Sequence, residues 1–278
     1  MHQHGGLLHI GRRFLKASAK PLLGMAVRVP GVRLALVLLA DGKLSRRSSA
    51  RHPFDVEYGV ETSGYIPGYA LTPQASNGYL AAQPSALRRT FSLLPDVENL
   101  HLIDLGCGKG RAILVASEFG FRSITGIEYN PILADIARQN IRHYSQRAQS
   151  SRQPVVITKD ATIFEPPKGP IAIFMYNPFP ADLMQKVIKN LEMSLAQDPR
   201  DLFLILLNPV AAPMIDGSPA LERYFAEQMR YSSDEAAYGS DPDDTVVIWR
   251  NRGNRHPRPA SDYQAAVTVL SSMRAVLH

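Results

Sequence analysis

The chain has 278 residues, a formal net charge of +6 and an apolar share ordinary for a globular protein, enough for one large α/β domain plus an extension. Its single cysteine excludes an intrachain disulfide and a cysteine-cluster metal site, and fits a reducing, cytoplasmic compartment. No histidine stands at metal-ligand spacing from a carboxylate, so no metal is expected.

The charge is uneven along the chain. Residues 1–51 hold ten Lys or Arg against one acid, Asp41, a net +9 that leaves about −3 for the rest of a chain whose total is +6. The segment reads as a basic N-terminal arm, partly helical. Its apolar run "LALVLLA" at 34–40 is far shorter than the roughly 20 residues a spanning helix needs. A basic arm with apolar patches suits packing on the domain, an anionic membrane surface or nucleic acid.

Residues 52–82 are rich in Gly, Pro, Ser and Tyr and predict a loop-rich lid or linker. "PSALRRTFSLL" then predicts a helix, with Pro84 in its first turn and Leu87, Phe91 and Leu94 at helical spacing. From residue 100 strands alternate with helices: "LHLIDL", "SITGIE", "PVVIT", "IAIFMY" and "DLFLILL" are short apolar runs. Between the second and third, Asn130 and Pro131 open a helix whose apolar face is expected from Ile132, Ile136, Ile141 and Tyr144. "ADLMQKVIKNLEMSLAQ" predicts another, with Leu183, Val187, Ile188 and Leu191 inward. After residue 210, "RYFAEQMRYSS" and "TVVIWRN" read as strands joined by a hairpin, hence antiparallel.

Strands apolar on both faces and alternating with helices predict a doubly wound, mostly parallel seven-stranded α/β sheet with a terminal antiparallel hairpin. The domain is expected over 83–251, followed by a C-terminal tail, 252–278.

The chemistry is concentrated at the predicted strand ends. In "LIDLGCGKGRA", Gly106, Gly108 and Gly110 remove side chains where backbone must approach a ligand, just before a helix N-terminus. Asp104 precedes them, placed to fix the loop through backbone N–H groups and to face a cationic ligand. Glu128 ends the second strand 22 residues after Gly106, where a carboxylate accepts from ribose hydroxyls. That spacing also fits a nicotinamide dinucleotide. The loop is G-x-G-x-G, however, and an acid before it would repel a pyrophosphate.

"IDLGCGKGR", "GIEYNP", "KDAT" and "YNPFP", in that order at successive strand ends, resemble the motifs of class I S-adenosylmethionine-dependent methyltransferases. The resemblance spans roughly 80–250 and implies S-adenosyl-L-methionine as cofactor. It places Asp104, Gly106, Cys107, Gly108 and Gly110 around the methionine part, Cys107 as a small packing residue. Glu128 would hold the ribose, Tyr129 would lie near the adenine, and Asp160 and Ala161 would meet its N6 and ring edge. Lys109 and Arg111 are expected exposed or beside the cofactor. Tyr58, Thr62, Ser63 and Tyr65 are candidate lid residues, and Gln83 is a candidate neighbour of the cofactor.

Asn177-Pro178-Phe179-Pro180 falls where amino-methylating members carry Asn-Pro-Pro-aromatic, so Asn177 and Phe179 are the candidate catalytic pair and Asn177 also a candidate cofactor contact. The second proline is replaced by the aromatic, a departure from base- and glutamine-methylating enzymes. "IFMYNPFPADLMQKVIKNL" is also similar to the Asn-aromatic region of non-SET protein-lysine methyltransferases. Asn-Pro occurs at two other strand ends, Asn130-Pro131 and Asn208-Pro209, so the dipeptide also serves as a turn.

The resulting expectation is N-methylation of a protein side chain. Two alternatives remain. One is a small-molecule or lipid methyltransferase held peripherally at a membrane by its arm. The other is a non-catalytic S-adenosylmethionine-binding scaffold whose arm docks on nucleic acid.

Overall fold

The computed structural model describes residues 51–71, 78–148, 153–176, 179–238 and 243–259, all within the unit Ala50–His278. The basic arm, the tail beyond 259 and the Asn177-Pro178 pair lie outside the described residues.

Two short helices, α1 (Pro53–Tyr58) and α2 (Gly68–Leu71), precede α3 (Pro84–Ser92). The sheet follows: β1 (His101–Leu105), α4 (Arg111–Ala116), β2 (Ser123–Glu128), α5 (Pro131–Ala148), β3 (Val155–Thr158), β4 (Ile171–Tyr176), α6 (Ala181–Gln197), β5 (Leu202–Leu207), α7 (Ala212–Asp216), β6 (Leu221–Arg230) and β7 (Asp243–Asn251). The strand order is β3-β2-β1-β4-β5-β7-β6. β1 to β5 are parallel, and β7 pairs antiparallel with both β5 and β6. This is the expected mixed sheet with its terminal hairpin.

Period-2 alternation divides the core between the two sheet faces. Leu102, Phe174, Phe203 and Ile248 point to the side covered by α3, α4 and α5. Ile103, Ile173, Leu204 and Trp249 point to the side covered by α6 and α7. On α6, Met184, Val187, Ile188, Leu191 and Leu195 are buried, at roughly 1.5–3 kcal/mol for each large side chain. Leu183, expected inward with them, is only half-buried and faces the cavity described below.

Three expectations are revised. Residues 53–58 form a helix in the expected loop, because His52 Nδ1 accepts from Phe54 N–H and Pro53 fits the first turn. On α5 the inward residues are Leu133, Ala134, Ala137, Ile141 and Tyr144, while Ile132 is 69% exposed. Asn130 caps this helix through Ile132 N–H and Leu133 N–H, and that start rotates position 132 to solvent. β3 is a sheet edge, so Val155 and Ile157 of its apolar run are exposed. Among the described residues, no helix is long and apolar enough to cross a membrane.

Candidate functional site

The strand order reverses between β1 and β4, and in open α/β sheets ligands bind beyond the carboxyl ends of the strands at this point. A cavity of about 480 Å³ lies there, walled by the ends of β1, β2 and β4 and by the turns after β1 and β3.

β1 leads into the glycine loop. Gly106, Gly108 and Gly110 have φ of +85°, +54° and +92°, the left-handed region that glycine enters without strain. Gly106 and Gly108 line the cavity. Gly110 does not: an added Cβ there would lie 3.2 Å from Ala137 Cβ, so it serves the packing of α4 against α5. Cys107 is buried beneath the loop, and an added Cβ at Gly126 would come within 2.7 Å of its sulfur. Burial holds the Cys107 thiol well above its ordinary range, as expected of a packing residue.

Glu128, at the end of β2, is buried on the cavity wall. Its Oε2 accepts from Gly108 N–H and its Oε1 from Asn130 N–H, both at 2.8 Å. A carboxylate offers about four lone-pair sites, so acceptor capacity remains toward the cavity. Burial raises its pKa, opposed by the backbone donors.

Asp104 was expected to bind the loop amides, and it does not. Glu128 takes that role. The Asp104 carboxylate is 3% exposed, lines the cavity and makes no hydrogen bond among the described residues. Burial first, then the neighbouring Glu128, pushes its pKa up to about 8. A buried carboxyl on a cavity wall suits a cationic ligand, whose charge would favour the ionised form.

Beyond β3, Asp160 caps a one-turn 3-10 helix, Ala161–Ile163, its Oδ1 accepting from Thr162 N–H and Thr162 Oγ1, each at 2.8 Å. Asp160, Ala161 and the half-exposed Tyr129 all line the cavity. Phe179, half-buried, lines it beside Tyr176 and packs on the core under α6. Asn177 lies outside the described residues. The other two Asn-Pro pairs are structural: Asn130 caps α5, and Asn208 turns the chain out of β5 with φ +51°.

The segment before the sheet was anticipated only in outline. Tyr58 packs on Phe54 and Tyr144, and Gln83 Oε1 is hydrogen-bonded to His52 Nε2 at 2.9 Å; neither lines the cavity. Thr62, Ser63 and Tyr65 are not on its wall either. Tyr79, which the sequence did not single out, is on it. Its ring lies against Gly108, and its hydroxyl donates to Thr62 O at 2.7 Å. Arg111 also reaches the wall, but it is 4% exposed and turned toward this segment. Lys159, Asp182 and Lys186 line the cavity as well. They are ordinary surface residue types, and only the fold brings them together.

No family model matches the sequence, and no curated protein is similar enough to count as a relative. Solved structures are similar in fold. The 23S rRNA methyltransferase ErmE is 15% identical, with 65% of this chain and 72% of that one covered at a TM-score of 0.44. The magnesium protoporphyrin IX methyltransferase of Synechocystis PCC 6803, with bound S-adenosylmethionine, is 13% identical over 60% of this chain and 76% of that one, at 0.43. The Bacillus cereus O-methyltransferase, in complex with S-adenosylhomocysteine, is 16% identical over 62% and 83%, at 0.44.

Proposed function

We propose that the chain is an S-adenosyl-L-methionine-dependent methyltransferase that transfers the methyl group to nitrogen, on a protein side chain. The observation that carries the reading is one cavity at the switch point, walled by the buried Asp104 carboxylate, which has no hydrogen-bond partner among the described residues, the glycine loop and Glu128. Asp104 suits the ammonium of an amino-acid moiety, and Glu128 has acceptor capacity left for ribose hydroxyls. Asp160 and the Ala161 backbone, on the same cavity wall as Tyr129, would read the adenine edge. A pyrophosphate would face Asp104 and Glu128 with no free cation on the loop, because Lys109 is paired with Glu61 at 2.9 Å and Arg111 with Asp55 at 3.6 Å.

The cofactor supplies an electrophilic methyl on a sulfonium, and the residues supply position and a water-poor surrounding. Phe179 and Tyr176 offer aromatic surface where the acceptor enters. The Asn177 side-chain oxygen accepts from the target nitrogen and aims its lone pair, as the motif resemblance implies. An amine must arrive deprotonated to react, since a protonated lysine has no lone pair to offer.

Isothermal titration with S-adenosylmethionine and S-adenosylhomocysteine tests the cofactor. Binding of NAD in their place would refute the proposal. Incubating lysate with radiolabelled S-adenosylmethionine and fractionating the product tests the acceptor: label in protein supports it, and label confined to lipid or small metabolites replaces it.

A further inference from the structure

We infer that the segment upstream of the sheet is part of the cofactor site, and that Thr62, held by Asp55 and Arg111, is a positioning residue for the glycine loop. The inference rests on the cofactor reading above. Thr62 is fully buried and all its polar groups are used. Its N–H and hydroxyl donate to Asp55, at 2.9 and 2.5 Å. The same hydroxyl accepts from Arg111 Nε at 2.7 Å, and its carbonyl accepts from Tyr79 O–H at 2.7 Å.

Each partner leads to the loop. Arg111 opens α4 immediately after Gly110, and its other donors reach Ser63 Oγ at 2.9 Å and Ala82 O at 3.4 Å. Tyr79 rests its ring on Gly108, whose N–H is the one that Glu128 accepts. A second staple runs parallel: Lys109 Nζ donates to Glu61 Oε1 and to Ser63 O, both at 2.9 Å. Asn140, from α5, then ties Glu61 N–H, Glu61 O and Lys109 O together at 2.8–2.9 Å.

The buried charge pair explains why this arrangement is specific to position. Asp55 and Arg111 are 2% and 4% exposed, so a partner lost from either leaves a charge that water does not reach. The loop therefore keeps its place only while the segment is docked. The fork of Arg111 meets three acceptors at once, a geometry that lysine does not reproduce.

The test uses the full chain, Thr62→Val and Thr62→Ser, titrated with S-adenosylhomocysteine. Valine keeps the shape and removes the hydroxyl, and serine restores the hydroxyl. The expected result is about tenfold weaker binding for Thr62→Val, the scale of a lost charge-assisted hydrogen bond, with affinity recovered in Thr62→Ser. A purely structural role would lower the melting temperature or the active fraction and leave the dissociation constant of the folded protein unchanged, and that result overturns the inference. Tyr79→Phe, which removes only the hydroxyl bonded to Thr62, gives the same reading by a gentler route: unchanged affinity in both Thr62→Val and Tyr79→Phe overturns it. Wild-type protein that binds neither cofactor form refutes the underlying reading and this inference together, whereas wild-type binding with unperturbed variants refutes this inference alone.

Discussion

The ring of Tyr79 lies so close over Gly108 that a Cβ added to the glycine would sit 2.2 Å from Tyr79 Cε2 and 2.4 Å from Cδ2. Gly108→Ala therefore meets both a clash and a left-handed backbone, φ +54°. We expect it to destabilise the fold by about 1–3 kcal/mol and to weaken S-adenosylhomocysteine at least about tenfold. Gly120→Ala is the comparison, because φ there is +70° but no atom lies within 4 Å of the new Cβ. Thermal melts and titration of both variants separate strain from clash, and equal losses of affinity would refute the close-approach role of Gly108.

Asp104 predicts a pH dependence of unusual sign. Its folded-state pKa, about 8, lies above the usual unfolded aspartate value, about 3.9. Between those values the unfolded state has released the proton and the folded state retains it, so this group makes stability fall as pH rises from about 4 to about 8, and contributes no further change above that. Asp104→Asn should melt above wild type by a few degrees at pH 8, roughly, with the gap closing toward pH 5. Differential scanning calorimetry across that range checks it. A gap that stays constant with pH would show Asp104 ionised throughout.

The same carboxyl links binding to protons. If it ionises to meet the ammonium of the ligand, S-adenosylhomocysteine binding below pH 8 releases a proton from Asp104. Titration in buffers of different ionisation enthalpy measures that release, which Asp104→Asn should abolish together with most of the affinity.

Glu128 carries two structural hydrogen bonds besides its proposed ribose contact. Glu128→Gln keeps one acceptor oxygen and puts a donor in place of the other, whereas Glu128→Ala leaves both Gly108 N–H and Asn130 N–H without their acceptor. We expect weaker binding from Gln and a larger loss from Ala, the second accompanied by a stability loss of about 1–3 kcal/mol. Equal binding by wild type and Glu128→Gln would remove Glu128 from the ribose site.

Asn177→Ala and Phe179→Ala probe the acceptor side. Both should lower kcat by about tenfold or more while changing the dissociation constant of S-adenosylhomocysteine by less than about twofold, the pattern of an interaction made in the transition state. A collapse of binding in Asn177→Ala would make it a cofactor ligand instead.

What the sequence disclosed was whatever depends on near neighbours. The glycine spacing, Glu128 at a strand end and the short apolar runs are local patterns, and they marked out the sheet and part of the cavity wall. The N-terminal half of the α5 face was misplaced by one residue, because Ile132 and Ile136 share a spacing with the true face at Leu133 and Ala137, while Ile141 and Tyr144 are buried as expected. Only the cap at Asn130 decides between them. The Thr62 hub was invisible for a different reason: its partners, Asp55, Tyr79 and Arg111, lie 7, 17 and 49 residues away and follow no period. One signal was available. An arginine at the first position of a helix beside a buried glycine loop needs an acid from elsewhere, and Asp55 in a loop-like stretch was the unclaimed candidate.

The strand order β5-β7-β6 has a bearing on synthesis. β6 leaves the ribosome before β7, yet its place in the sheet touches only β7, so it waits without a neighbour until residue 251 has been made. A stop codon anywhere between the two strands would leave the ten-residue β6 without its pairing strand and uncover the edge of β5 as well. Loss of one C-terminal strand is thus loss of two, and nonsense changes in that interval should yield insoluble chains instead of a trimmed but folded protein.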